Sequence, residues 1–528
     1  MPQALGVTDR IYLSEGLSNA WLVTTSDGRV VINTGMGFEA PVHKRNFDAV
    51  SKAPVRCVFL TQGHVDHVGG IDVFREPGTE IVAHANSRRQ QAEDALLRPF
   101  RAARSGFAFA RTVTEGIAAV AKEFEQIPAQ AVAVPTITFD DVYALELGGV
   151  RFELYATPGG ETTDSMIVWL PREQACFCGN LFGALFGHFP NFVTIRGDRY
   201  RDALTFIDSL DRVAALEPEL LLVGHHQPVR GRERIRSELA RLRAAVSHVH
   251  DATVRGMNEG KDVYTLMQEI RVPPECEVGE GYGKIAWGVR AIYETYAGWF
   301  QHRATTELYG VPPDRIAADL VELAGGAPVL NARARTKLKE GKVIDALCLA
   351  ETVLSFDEKD EVGLDIAVQC HEMLMRDSTN FWLTSWLRHR HRNLAERRDA
   401  ARGAIRIRDL AVPVLNDVQR VVLAAAENVN TDFDVEGVLD EARALTGLEN
   451  FGAGEFRTRL CLLASEWDSD AGLTALGRAG LRKSLVRYAA NRLLIQAALA
   501  EDATLRDEPV RAPVIVTGLP RTGTTHLV

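Results

Sequence analysis

The densest chemical grouping in the chain is Thr61-Gln62-Gly63-His64-Val65-Asp66-His67, directly after the apolar run VRCVFL at 55–60. It places three potential ligands, His64, Asp66 and His67, within four residues. Imidazole and carboxylate together are the donors that borderline divalent ions such as zinc prefer. An isolated HxDH is not rare, but three other segments accompany this one in order: VVINTG before it, ATPGGETTDS and GNLF after it, then LLLVGHHQP. Each falls at the end of an apolar run. A second grouping lies far downstream, where APVIVTG runs into Gly518-Leu519-Pro520-Arg521-Thr522-Gly523-Thr524-Thr525. The GxxxxG spacing followed by Thr-Thr suits a loop whose backbone N–H groups close around a phosphate, with Arg521, Thr522, Gly523, Thr524 and Thr525 as donors. The Lys of a nucleoside triphosphatase loop is replaced there by Thr524, which makes that activity less attractive.

The elements that must position these residues can be read from the pattern. RIYL, AWLVTT and RVVINTG are expected strands, with Ser26-Asp27-Gly28 as a turn between the last two. VRCVFL is expected to be a buried strand that delivers site residues at its C-terminal end. RFELYAT, MIVWL, QACFC and ELLLVG complete a set that predicts an α/β layered domain. From about residue 250 the pattern turns helical. Ile285, Val289, Ile292, Tyr296 and Trp299 form one apolar stripe, which suits either intrachain core or a subunit interface. Gly341 separates two helical patterns as in a helical hairpin. The basic run RHRHRNLAERR near 393 reads as a solvated helix face or a linker, and helices follow to about 500.

At 528 residues the chain exceeds what one hydrophobic core organises. A formal charge of −10 argues against broad nucleic-acid binding, so any anion handling must be local. Seven cysteines scattered from Cys57 to Cys461 fit a reducing compartment, and Cys176 and Cys178 are expected on one face of a strand. The N-terminus shows no secretory pattern, and no run approaches the ~18 apolar residues of a membrane helix. A soluble, cytoplasmic protein is expected.

The ordered motifs resemble the metallo-β-lactamase superfamily, and more narrowly its alkylsulfatase branch, in which TPG-x-E and HHxPV segments close the site. PNFVTIRG at 190–197, RDAL at 201–204 and AIYETYAGWF, which is similar to the alkylsulfatase dimerisation domain, extend the likeness. The resemblance implies an αββα sandwich over about residues 1–250 and an all-α dimerisation domain over 251–392. It also implies His64 and Glu161 at one zinc, Asp66, His67 and His225 at another, and Asn191 and Arg196 holding a sulfate head. Arg suits that task because its planar donors grip an oxyanion in pairs. Asp66 and His67, with Asn191 and Arg196, are the residues expected to carry catalysis. Two positions depart: Gln62 stands where the branch has its first motif histidine, and Gly179 or Asn180 stands where it has a bridging acid. One firmly held zinc is therefore expected at Asp66, His67 and His225, with a second held more weakly by His64, Glu161 and Asp164.

LTGLENFGAGEFRTRL, LTALGRAGLRKSLVRYAANRL and PRTGTT resemble the start of bacterial sulfotransferases, which implies a helical lead-in and a phosphosulfate loop for PAPS, 3′-phosphoadenosine 5′-phosphosulfate, over 393–528. This segment looks like a truncated, P-loop-like sulfotransferase domain without activity of its own. The leading expectation is a zinc-dependent hydrolase of sulfate esters, using metal-activated water, that pairs as a homodimer and binds no nucleic acid. Two alternatives stay open: a hydrolase of another ester or lactone on the same fold, and a sulfotransferase-type protein whose N-terminal half is a dimerising scaffold with a decayed metal site.

Overall fold

The structure is a computed structural model, and it describes residues 3–402, 415, 417–427, 429–469 and 472–507. The chain divides into two units, Met1–Val414 and Leu415–Val528.

The first unit begins with two facing sheets. One holds seven strands in sequence order: β1 (Leu5–Gly6), β2 (Ile11–Ser14), β3 (Ala20–Thr25), β4 (Gly28–Ile32), β5 (Val55–Leu60), β6 (Glu80–His84) and β7 (Ile137–Phe139). The other holds β8 (Val142–Leu147), β9 (Val150–Ala156), β10 (Met166–Leu170), β11 (Ala175–Gly179), β12 (Leu220–Val223) and β13 (Val229–Arg230). Pairing is antiparallel along β1–β4 and turns parallel from β4 through β7, while β11 and β12 form the parallel pair of the second sheet. Parallel strands buried on both faces need continuous apolar sequence, and VRCVFL and LLLV supply it.

The sheets meet through their inner faces. Trp21 packs edge-on to Phe177 at 5.7 Å between ring centres, and Phe59 to Phe152 at 5.4 Å. Helix Ala40–Val50 covers the outer face of the first sheet through Phe47, which packs with Val31, Val58 and Phe74. Helices Ala203–Ala215, Arg232–Asn258 and Ile285–Ala297 cover the second. The result is the four-layer αββα order expected from the sequence. Strand alternation sends Phe177 inward between the sheets while Cys176 and Cys178 share the opposite, helix-covered face.

Helix Arg232–Asn258 runs unbroken through the expected domain limit near 250, so its first half caps a sheet and its last half begins the helical region. The stripe on Ile285–Ala297 is buried at Val289 and Ile292, but the helix stops at Gly298, whose φ of 72° few other residues adopt, and Tyr296 and Trp299 are exposed. Helices Ala317–Leu323, Ala327–Lys339, Val343–Phe356, Glu361–Arg376 and Phe381–Ala401 follow as hairpins, with Gly341 (φ 75°) at the predicted turn. Phe381–Ala401 carries the RHRHR run through the expected limit at 392 as one helix.

Asn380 braces the helical region internally, and Phe107 and Phe109 tie that region to the sandwich. The Asn380 carboxamide accepts from Leu383 N at 3.0 Å, capping Phe381–Ala401, and donates to the carbonyls of Glu280 (2.7 Å) and Tyr282 (3.1 Å). Helix Arg98–Ala121 lays Phe107 and Phe109 against Trp382, at 6.1 and 5.4 Å between ring centres.

The second unit contains helices Asp417–Ala426, Val435–Thr446, Glu455–Asp468 and Ala475–Glu501 around a core of Val438, Leu439, Leu460, Leu485 and Leu493. Arg521, Thr522, Gly523, Thr524 and Thr525 lie outside the described residues.

Candidate metal centre

Strand ends from both sheets converge on one point. β5 delivers His64, Asp66 and His67 through the short helix Val65–Val68, β9 leads to Glu161 and Asp164, β11 to Asn180 and β12 to His225. Among the described residues, Asp66, His67 and His225 form the group of metal-ligating side chains whose donor atoms all lie within 4.8 Å of one another. Asp66 Oδ2 stands 3.5 Å from His67 Nε2 and 3.8 Å from His225 Nε2.

The donor chemistry of this group fits a divalent cation. His225 Nδ1 donates to the Leu17 carbonyl at 2.8 Å, which leaves an Nε2 lone pair that lies 3.2 Å from Asn180 Nδ2 and 3.8 Å from Asp66 Oδ2. His67 Nδ1 meets Ser18 Oγ at 3.1 Å, and its Nε2 is buried with no hydrogen-bond partner. Burial pushes the His67 imidazole down to about 4, against the pull of Asp66, so the ring is neutral at pH 7 and can offer a lone pair. Burial also opposes ionisation of Asp66, but His67, His225 and His64 hold its carboxyl below the usual range. Two imidazoles and a carboxylate with an open side are the composition of a catalytic zinc site.

His64 and Glu161 lie beside this group without making a second one. Gln62 Nε2 lies 2.9 Å from His64 Nδ1, and an amide nitrogen has no lone pair to offer a cation. Glu161 Oε2 is 3.4 Å from His64 Nδ1 and accepts from Asn180 Nδ2 at 3.0 Å. Burial would raise the Glu161 pKa, but Arg201, foremost among the charges around it, holds it well below the usual range. Arg201 reaches the carboxylate at 3.7 Å and donates through Nε to the Glu161 carbonyl at 3.1 Å. Asp164 is buried and both its carboxylate oxygens lack a partner. Of Gly179 and Asn180, Asn180 is the one that brings a side chain into the centre. Gly179 has φ 50°, and a side-chain carbon there would come 2.3 Å from Thr61 Oγ1, whereas Asn180 reaches Glu161 and His225.

The two residues expected to seat an anion occupy different situations. The Arg196 guanidinium lies over the Trp382 ring at 5.7 Å and is only loosely paired with Asp198, at 3.9 Å. The Asn191 carboxamide is engaged by the wall, donating to the Val193 carbonyl at 2.7 Å and accepting from Trp382 Nε1 at 3.3 Å. Sequence reasoning missed Tyr282 and Trp382, which reach the site from the helical region, and Arg201 as a partner of Glu161. The Tyr282 ring stacks on Phe381 at 5.9 Å. Burial, then the charge of Glu161, pushes its phenol above the ordinary value, so it stays a proton donor. The RDAL segment contained the signal for Arg201; no spacing pointed to Tyr282.

Comparison with known proteins agrees with this architecture. The model of the metallo-beta-lactamase superfamily matches residues 13–225, and that of alkyl sulfatase dimerisation matches residues 265–396. The chain is 26% identical to a linear primary-alkylsulfatase from Pseudomonas sp., over 69% of this chain and 72% of that protein. It is 24% identical to an alkyl/aryl-sulfatase from Saccharomyces cerevisiae, over 72% of this chain and 62% of that one. It is 23% identical to an (R)-specific secondary-alkylsulfatase from Pseudomonas sp., over 71% and 60%. The chain thus spans about three fifths of the length of the last two. A stereoselective inverting sec-alkylsulfatase from Pseudomonas sp. has the same fold, with a TM-score of 0.65 at 20% identity, over 82% of this chain and 71% of that one. A match to a metallo-beta-lactamase domain over residues 13–225 is thus followed by a match to an alkyl sulfatase dimerisation domain over residues 265–396, and both matches end before the last 132 residues of the chain.

Proposed function

We propose that the chain is a metal-dependent hydrolase of sulfate esters, with a single zinc held by Asp66, His67 and His225. The observation that carries this reading is a three-ligand group on an alkylsulfatase-like frame, together with a loosely paired guanidinium, Arg196, whose charge acts on the neighbouring Glu161. A zinc ion bound there supplies Lewis acidity for ester cleavage. The chain's own residues do the rest. Arg196 takes two oxygens of the sulfate head, and its stack on Trp382 fixes the plane of its donors. Tyr282, kept protonated by burial, donates a hydrogen bond toward the ester. Arg201 holds Glu161 in place and neutralises it, and Asn191 supports the Trp382 wall. His64 and Glu161 remain a weak second metal site at most, because Gln62 and Asn180 bring neutral amides where ligand charge is needed.

The helical region supports pairing of two copies. Trp299, Leu308, Tyr309, Ile316, Leu320 and Leu323 are exposed within one short stretch, Leu323 to 85%, an apolar surface of the kind that marks an interface. Among the described residues no helix is long and apolar enough to cross a membrane. For the last segment, the sulfotransferase reading rests on the LTGLENFGAGEFRTRL, LTALGRAGLRKSLVRYAANRL and PRTGTT segments; titration with 3′-phosphoadenosine 5′-phosphate tests it, and no binding removes it.

The hydrolase reading is tested by incubating the zinc-loaded chain with primary and secondary alkyl sulfates, a phosphodiester and a lactone. Sulfate release with little turnover of the other two is expected; preferential cleavage of the lactone or the diester would assign the fold to another ester class.

A further inference from the structure

Behind the ligating side chains lies a polar cluster that the proposed reaction does not use. Ser14, Glu39, His43 and Asn46 are all buried. Asn46 Nδ2 donates to Ser14 Oγ at 2.9 Å, and Ser14 Oγ lies 2.8 Å from His43 Nδ1. With its oxygen accepting from Asn46, Ser14 has its proton for His43 Nδ1. That leaves His43 Nε2 protonated and facing Glu39 Oε1 at 3.9 Å. A buried carboxylate is costly unless it is hydrogen-bonded. Glu39 accepts from Met36 N at 2.9 Å through one oxygen and from Leu17 N at 2.8 Å through the other. The packing leaves no slack: a side-chain carbon on Gly16 would come 2.5 Å from Glu39 Oε2, and one on Gly35 would come 2.6 Å from His43 Nε2.

The segment that Glu39 holds touches both imidazole ligands. The Leu17 carbonyl accepts from His225 Nδ1, and the next residue places Ser18 Oγ against His67 Nδ1. Ser18 directs its own proton to the Gly224 carbonyl at 3.4 Å, so its lone pair is what meets His67. Asn19 then pins the segment to the β12 loop through the carbonyls of Val223 (3.0 Å) and His226 (2.7 Å).

We propose that Ser18 and Glu39, with His43 and Ser14 behind them, are positioning residues. They fix the ring orientation and tautomer of His67 and His225 and thereby set the metal affinity of the centre. The inference rests on the one-zinc reading above. Partners of this kind typically carry ~10–100-fold in metal affinity.

The test uses the full chain and its Ser18→Ala and Glu39→Gln variants. Zinc affinity is measured by competition with a chromophoric chelator, the visible spectrum is recorded with cobalt(II), and melting is followed without metal. Each variant is expected to bind zinc about 10-fold or more weakly and to shift the cobalt spectrum, while metal-free Ser18→Ala melts close to the parent. Affinities within threefold of the parent in the folded variants would overturn the proposal. If Glu39→Gln does not fold, Ser18→Ala alone decides. A parent chain that binds no zinc refutes the metal reading and this inference together, an outcome distinct from a parent that binds and variants that match it.

Discussion

The carboxamide of Asn180 stands between Glu161 and His225, its Nδ2 lying 3.0 Å from Glu161 Oε2 and 3.2 Å from His225 Nε2. A carboxylate at this position would bridge two cations; a neutral amide brings no charge. With Gln62 beside His64, the centre keeps one complete ligand set. The double variant Gln62→His with Asn180→Asp is expected to raise bound zinc from one toward two per chain. Elemental analysis of dialysed protein checks this, and an unchanged ratio of one would place the obstacle elsewhere.

Arg196 is the guanidinium with donors to spare. Arg196→Ala is expected to raise KM for an alkyl sulfate by ~10–100-fold, the equivalent of about 1.5–3 kcal/mol for a hydrogen bond to a charged group. Arg196→Lys should recover part of this, since charge is kept and paired geometry is lost. Equal KM values in parent and Ala variant would remove Arg196 from sulfate binding.

Tyr282→Phe deletes one hydroxyl and leaves the stack on Phe381. A loss of kcat of ~100–1,000-fold with an unchanged melting temperature is expected for a donor aimed at reacting atoms. A variant with full kcat assigns the ring to packing alone.

Trp382 is fully buried and touches Phe107, Phe109, Tyr282 and Phe381 while supporting Arg196. Trp382→Ala is expected to destabilise the first unit by ~3–5 kcal/mol. It should also raise KM more than Phe107→Ala, which leaves the Arg196 stack intact. Thermal melting and steady-state kinetics on the same samples separate the two effects.

The metal-free protein should lose stability on acidification. His67 titrates at about 4 when folded, against an ordinary value of 6.5, so between these limits the unfolded chain binds the extra proton. Asp66, held below its ordinary value, adds a loss in the same direction at lower pH. The melting temperature should therefore fall from pH 7 to pH 5, and less steeply in His67→Gln. A rise on acidification would contradict the assignment of a buried neutral imidazole.

The strands and the grouping of Asp66, His67 and His225 were legible because buried parallel strands demand continuous apolar runs and because their C-terminal ends carry the motifs. VRCVFL and LLLV announced both Asp66-His67 and His225. The separation of Asn180 from Gly179 was not legible, since it depends on a backbone with φ 50° pressed against Thr61. Tyr282 and Trp382 escaped for a related reason: an aromatic residue in a helical region looks the same whether it packs a core or lines a site. Ser18 and Leu17 act through one hydroxyl and one backbone carbonyl, which no sequence pattern marks. The limits near 250 and 392 fell inside long helices because composition shifts there while helical periodicity does not.

The most direct test of the account is inorganic sulfate release from an alkyl sulfate, followed before and after a chelator strips the protein and again after one equivalent of zinc is returned. Release is expected to stop on chelation, to return with the single equivalent, and never to return in the Asp66→Asn, His67→Asn double variant. Sulfate release that persists in the stripped chain, or in that variant, would contradict it.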